Sequence, residues 1–203
     1  MNNKGNVGIL KLSNSGNLNS VKNALEYCDA KVGFIQKKDD FRNFDKIILP
    51  GVGAFNKTIE NITNQNMKDE LIINIEKKIT LGICIGMQLF SKNSDEIKLT
   101  EGLNILNSNV KKIQTENPLP VIGYNNIKIK SDNELLKNID ERDQFYFMHS
   151  YAVNSSENEI ATTKYHDVEY TAAISKENIF GVQFHIEKSR KSGIKVFNNF
   201  LNL

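Results

Sequence analysis

Gly82-Ile83-Cys84-Ile85-Gly86-Met87-Gln88 is the stretch on which the fold turns. Ahead of it, Ile79-Thr80-Leu81-Gly82-Ile83 is short and apolar with one threonine, which suits a buried strand. Behind it, Met87-Gln88-Leu89-Phe90 can begin a helix. A cysteine at this joint, with a glycine two residues away on each side, has the form of a nucleophile elbow. The glycines permit a tight strand-to-helix turn and let neighbouring backbone approach a residue whose side chain must stand clear. A helix starting just behind Cys84 favours thiolate over thiol. The competing reading is a buried structural cysteine, and the paired glycines weigh against it. Cys84 is therefore the candidate nucleophile.

Toward the N-terminus, residues 6–12 read as a buried strand and Asn14-Ser15-Gly16-Asn17 as a turn able to cap a helix. That helix, about 18–28, places Val21, Ala24, Leu25 and Cys28 on one face, so Cys28 belongs to the core. Strands follow over 31–36 and 45–49. Strands alternating with helical segments predict an α/β fold with a mainly parallel sheet and helices on both faces. Pro50-Gly51-Val52-Gly53-Ala54-Phe55 comes directly after the third strand. In open α/β sheets ligands bind at the C-terminal strand edge, where this loop and the elbow both fall. Alone, the two glycines are a weak signal for a dinucleotide and fit a plain turn. Beside Cys84 they fit an oxyanion hole better.

Composition narrows the partners. The chain has 203 residues, 39% hydrophobic and 25% charged, with a net charge of +2. That is the profile of one ordinary soluble domain spanning 1–203, with no electrostatic reason to bind nucleic acid or an anionic membrane. No apolar run reaches the ~20 residues of a membrane span, and the polar start is no signal peptide. Two cysteines, Cys28 and Cys84, make neither a disulfide framework nor a metal-ligand spacing. The expectation is a cytoplasmic protein with no metal and no cofactor.

Beyond the elbow's own strand, helical segments are expected at 57–64 and 67–78, the latter aligning Leu71, Ile72, Ile75 and Ile79. From 102 to 130 the texture changes to short strands around Pro118 and Pro120. Ile127-Lys128-Ile129-Lys130 alternates as a half-exposed antiparallel strand does. A short helix is expected at 134–139, strands at 144–153, 160–165, 170–175 and 179–185, and a last helix at 189–203. That helix turns Ile194, Phe197 and Leu201 inward. The sheet is thus mixed, with an antiparallel region added to the parallel part.

A nucleophilic cysteine needs a base, and the chain offers His149, His166 and His185. His185 lies in Gln183-Phe184-His185-Ile186-Glu187, at a strand end just before a helix. In an extended backbone residues two apart share a side, so Glu187 can reach the His185 ring. A carboxylate there fixes the imidazole tautomer and stabilises the imidazolium formed when the thiol gives up its proton. A capping histidine beside a solvated glutamate is the plain alternative. His166, in Tyr165-His166-Asp167, fits a surface turn, and His149 fits a packed, hydrogen-bonded position or one lining a ligand.

The elbow together with Gln183-Phe184-His185-Ile186-Glu187 resembles the triad class of glutamine amidotransferases, class I. Leu49-Pro50-Gly51-Val52-Gly53-Ala54-Phe55, Tyr146-Phe147-Met148-His149-Ser150-Tyr151 and Gly16-Asn17-Leu18-Asn19-Ser20-Val21 are similar to the glutaminase subunits of imidazole glycerol phosphate synthase. The likeness runs from end to end. It implies that Cys84 attacks the glutamine side-chain amide, that His185 moves the proton and that Glu187 orients His185. It further implies an oxyanion hole at Val52 and Ile85 and a glutamine pocket at Gly51, Gly53, Gln88, His149 and Ser150. The implied partner is a (β/α)8-barrel cyclase subunit, joined in a heterodimer, that receives the ammonia.

Three positions depart from that family's pattern. Ile186 stands where proline is usual between the triad His and Glu, and Tyr124 stands for tryptophan in Gly123-Tyr124-Asn125. Leu12-Ser13-Asn14 replaces Asp-Tyr-Gly. None of them removes catalytic chemistry, and the last two bear on the partner. Two other readings remain open on sequence: a paralogous subunit supplying ammonia to amidinate a nucleotide-sugar precursor of surface glycans, and a non-catalytic binding subunit. Intact Cys84, His185 and Glu187 argue against the latter.

Overall fold

The computed structural model describes residues 5–12, 18–154 and 156–203. The expected turn at Asn14-Ser15-Gly16-Asn17, the Gly16-Asn17 start of the family-like segment and the Ser13-Asn14 departure lie outside the described residues. The first half alternates strand and helix: β1 (Asn6–Leu10), α1 (Leu18–Tyr27), β2 (Lys31–Ile35), β3 (Lys46–Leu49), α2 (Phe55–Asn64), α3 (Lys68–Lys77), β4 (Ile79–Ile83) and α4 (Ile85–Gln88). The second half is mostly β: β5 (Asn93–Ser94), β6 (Thr100–Glu101), β7 (Asn109–Lys112), β8 (Val121–Asn125), β9 (Lys128–Ile129), β10 (Phe145–His149) and β11 (Tyr151–Val153). It continues with β12 (Glu159–Tyr165), β13 (Val168–Lys176), β14 (Ile179–Val182) and the closing helix α5 (Arg190–Asn202).

The central sheet runs β2-β1-β3-β4-β14-β13-β12-β9. Its first five strands are parallel and the remainder antiparallel, as expected for a mixed, mainly parallel sheet. Period-two side-chain alternation divides the core between the two faces. Val7, Ile9, Ile48, Leu81 and Ile83 pack with Leu25 of α1 and Val196, Phe197 and Phe200 of α5. Leu10, Ile47 and Leu49 pack with Ile59 and Ile62 of α2 and Leu71 and Ile75 of α3. Each such aliphatic side chain contributes about 1.5–3 kcal/mol through burial. Cys28 is buried in the first cluster, as its helical spacing indicates.

Register brings the chemistry to one edge. Leu49 of β3 aligns with Gly82 of β4, and Val182 of β14 aligns with Ile83. The loop after β3, the elbow after β4 and the segment after β14 therefore leave three adjacent parallel strands at the same end.

Several local expectations are corrected. The helix behind Cys84 is a single turn, so its dipole lends little to a thiolate. Ile79 starts β4 rather than extending the apolar face of α3. The 134–139 helix reduces to a 3-10 turn, Glu134–Leu136. The 144–153 strand is split at Ser150, and the 179–185 strand ends at Val182. The half-exposed 127–130 strand is only Lys128–Ile129, pairing antiparallel with β12 at the sheet edge.

Candidate active site

Cys84 itself carries the bend of the elbow. Its φ of 54° and ψ of −109° are unusual for a residue with a side chain. The glycines on both sides must then lie very close to neighbouring backbone. A Cβ at Gly82 would meet the Gly86 carbonyl and Met87 N at 2.6 Å, so only glycine fits there. Met87 N and Gln88 N donate back to Cys84 O at 3.1 and 3.2 Å, closing the turn. The N–H groups of Ile85 and Gly86 precede those bonds at the open end of the turn.

His185 is set by a different device. Its N–H donates to Tyr146 O at 2.8 Å, and Ser189 Oγ donates to His185 O at 2.6 Å. Phe184 inserts between Phe145 and Phe147, with ring centroids 4.2 and 5.8 Å away. Backbone and aromatic packing thus hold the segment against β10. His185 Nδ1 lies 2.9 Å from Glu187 Oε1, both side chains being buried. The contact is as anticipated, but its route differs: Ile186–Lys188 forms a 3-10 turn rather than extended chain, and the tight turn folds the carboxylate back onto the ring. Ile186, the residue in proline's place, is buried in the core.

Burial disfavours a charged His185 ring, but Cys84 and the Glu187 carboxylate outweigh it and push the ring up to about 10. Nε2 closes no hydrogen bond of ordinary geometry. Cys84 therefore faces a cationic ring whose far side is fixed by a carboxylate, which is the arrangement a thiol–imidazole nucleophile requires.

A cavity of about 260 Å³ opens onto this group. Val52, Gly53, Cys84, Ile85, Gln88, His149, Ser150 and His185 all border it, from elements far apart in sequence. Two expected site residues do not. Glu187 stands behind His185, and Gly51 packs against the elbow, where a Cβ would fall 2.6 Å from Ile85 Cβ. Gly51 thus shapes the loop's approach and does not line the pocket. His166 sits in the turn between β12 and β13, apart from the cavity lining.

The polarity of the pocket wall is fixed by one backbone oxygen. Tyr151 O accepts from Gln88 Nε2 at 2.7 Å and from His149 Nδ1 at 3.0 Å. A carbonyl can only accept, so His149 carries its proton on Nδ1 and presents a lone pair at Nε2. Burial pulls the His149 ring down to about 4, against the Tyr151 bond and with help from the charge on His185. His149 Nε2 and Gln88 Oε1 are both buried acceptors with no hydrogen-bond partner among the described residues. Acceptors left waiting in a cavity suit a ligand rich in N–H donors.

Besides Pro120, Met148 and Tyr151 of the cavity wall, Glu96 and Gln183 went unassigned in the sequence. Glu96 borders the cavity and accepts from Phe55 N at 2.7 Å, holding the start of α2. It lies in a polar loop, where an acidic residue carries no local signal. Gln183, fully buried, donates Nε2 to Cys84 Sγ at 3.6 Å and accepts from Gln88 Nε2 at 3.0 Å. Its place ahead of His185 was visible, but its direction was not.

A family model, Glutamine amidotransferase class-I, matches residues 12–203. The chain is 44% identical to the imidazole glycerol phosphate synthase subunit HisH of Caldanaerobacter subterraneus subsp. tengcongensis, covering 96% of each. It is 38% identical to the subunit of the same name from Methanocaldococcus jannaschii, covering 97% of this chain and 99% of that one. Among solved structures, PurLQS from Thermotoga maritima superposes with a TM-score of 0.76 at 18% identity, over 97% of each chain. A crystal structure of a glutamine amidotransferase gives 0.75 at 15% identity, over 97% of this chain and 99% of that one. At such low identity these two speak for the fold alone.

Proposed function

The chain belongs to the class-I glutamine amidotransferase family, and on that premise we propose that it is the glutaminase subunit of imidazole glycerol phosphate synthase, in histidine biosynthesis. The observation that carries this reading is a Cys84–His185–Glu187 group opening onto a pocket, in a chain alike from end to end to subunits of that synthase.

Glutamine enters with its side-chain amide over Cys84. The sulfur attacks the amide carbon, and the C–S bond forms as the carbonyl oxygen takes up negative charge. The Ile85 N–H at the open end of the elbow, with the Val52 N–H from the facing loop, receives that oxyanion. A donor of this kind contributes ~2.7–4 kcal/mol to the transition state. The C–N bond then breaks, and the His185 imidazolium gives its proton to the departing ammonia. Water, deprotonated by the now neutral ring, hydrolyses the thioester to glutamate and restores the thiol. Glu187 keeps the ring oriented and its charge compensated throughout.

The rest of the pocket reads as a glutamine site. Glu96 and the acceptors on Gln88 and His149 suit the substrate's ammonium and N–H groups, while Gly53 and Ser150 complete the wall. The ammonia passes to a (β/α)8-barrel cyclase subunit in a heterodimer. There it cleaves a phosphoribulosyl formimino-carboxamide nucleotide to imidazole glycerol phosphate and an aminoimidazole carboxamide ribotide. The cytoplasm is the compartment in which such a pair would work.

The test is glutamine-dependent synthesis by the chain combined with its barrel partner and nucleotide. Cys84→Ala should abolish it while synthesis from added ammonium salt persists, and Cys28→Ala should leave both rates close to wild type. Full glutamine turnover by the Cys84→Ala protein would refute the assignment.

A further inference from the structure

Tyr151 O fixes more than the wall of the pocket. Because that carbonyl accepts from Gln88 Nε2, the Gln88 amide cannot be flipped, and its second N–H points at Gln183. The atom of Gln183 receiving that N–H must be Oε1, which leaves Nε2 directed at Cys84 Sγ. One backbone carbonyl thus orders a chain of two buried amides that ends on the sulfur. Gln88 uses both of its amide hydrogens in these two bonds, so its Oε1 is the atom with no partner among the described residues.

We infer that Gln183 is a positioning residue with two tasks: its Nε2 steadies the Cys84 sulfur as a thiolate, and its Oε1 keeps the Gln88 carbonyl oxygen turned to the pocket. A donor to an ionised acceptor stabilises that acceptor's charged form, and the low surrounding dielectric strengthens the effect. His185 supplies a charge to the sulfur. Gln183 supplies a direction, since its N–H is aimed at the sulfur from the residue that directly follows β14. A purely structural glutamine in this buried position would have no reason to spend a donor on sulfur, which is a weak acceptor unless ionised. The second task rests on the glutamine-site reading; the first concerns the thiol alone.

The experiment uses the full chain carrying Cys28→Ala, so that Cys84 is the single thiol, and follows iodoacetamide alkylation against pH. Gln183→Met keeps the volume and removes both amide ends. The pH midpoint of alkylation should rise by about one unit, the size expected for loss of one hydrogen bond to a charged acceptor. With partner and nucleotide present, kcat for glutamine should fall about tenfold and KM should rise several-fold as the Gln88 amide is released. Should Gln183→Met fail to fold, Gln183→Leu is measured in the same way. It too is neutral and lacks both amide ends, so the midpoint and KM should again rise. An unmoved midpoint in a folded variant overturns the role at sulfur, and an unmoved KM overturns the role at Gln88. Alkylation needs neither glutamine nor partner. A protein that shows the midpoint shift but never hydrolyses glutamine therefore refutes the proposed substrate and leaves the Gln183–sulfur contact standing.

Discussion

Gly86 presses directly on the carbonyl group of Leu49, leaving no room for even a methyl group between elbow and third strand. Both neighbours are backbone, so neither can rotate away. Gly86→Ala should destabilise the protein by about 3 kcal/mol, the upper part of the usual overpacking range. For a chain of this size that lowers the melting temperature by roughly 6–12 °C. Calorimetry would check it. Glutaminase activity should fall further than stability does, because β3 and the elbow would separate at the catalytic edge.

The charge on the His185 ring depends on both of its neighbours. Cys84→Ala removes the largest influence that raises it, so the imidazole, which its two neighbours push up to about 10, should titrate lower. Glu187→Gln should lower it as well. Imidazole NMR titration reads each change directly. In glutamine turnover His185→Ala should be the more damaging loss and Glu187→Gln the lesser, since orientation contributes less than proton transfer. His166→Ala should leave turnover unchanged.

His149 gives the fold an acid limb. Its ring is held down to about 4 when folded, against an ordinary 6.5, because burial disfavours the cation. Between those values the unfolded chain binds the proton and the folded one does not. The stabilisation is therefore complete above pH 6.5 and lost as pH falls toward 4, by about 3 kcal/mol at most. His149→Asn retains a donor for Tyr151 O and has nothing to titrate. Denaturant unfolding at several pH values should show that component of the acid loss in wild type and not in the variant.

Gly53 lies at φ +121°, with open space where a side chain would sit. The restriction on this position is thus conformational and not steric. Gly53→Ala should shift the loop toward a backbone that directs the Val52 N–H elsewhere, and one lost oxyanion donor lowers turnover ~10²–10³-fold. Hydrolysis measured alone, with barrel, and with barrel plus nucleotide should show the loss chiefly in the loaded complex. Binding to the barrel, followed by calorimetry, should be nearly unchanged.

The sequence was most legible where local chemistry and local geometry coincide. Cys84 between its glycines and His185 two residues from Glu187 are compact patterns, and the structure sets Cys84 and His185 on one cavity with Glu187 behind the ring. Strand and helix alternation likewise revealed a mainly parallel sheet. Strand order was beyond reach: nothing in β4 announces that its neighbours are residues 46–49 on one side and 179–182 on the other. Glu96 escaped notice because its partner Phe55 N lies 41 residues away. Gly51 was expected in the pocket from the family resemblance, whereas the direction of close packing sets it against the elbow. The 3-10 turn after His185 went unseen since a three-residue turn has no period to read.

The position of β14 bears on how the protein is made. It lies between β4 and β13, so the strand that ends at Cys84 has an unpaired edge until residues near Val182 have been synthesised. At typical translation rates of about 5–20 residues per second, the roughly 100 intervening residues take about 5–20 seconds. His185 emerges only after that strand. The newborn chain thus carries its sulfur for seconds without the imidazole that faces it, and the site is completed only by the segment that follows β14.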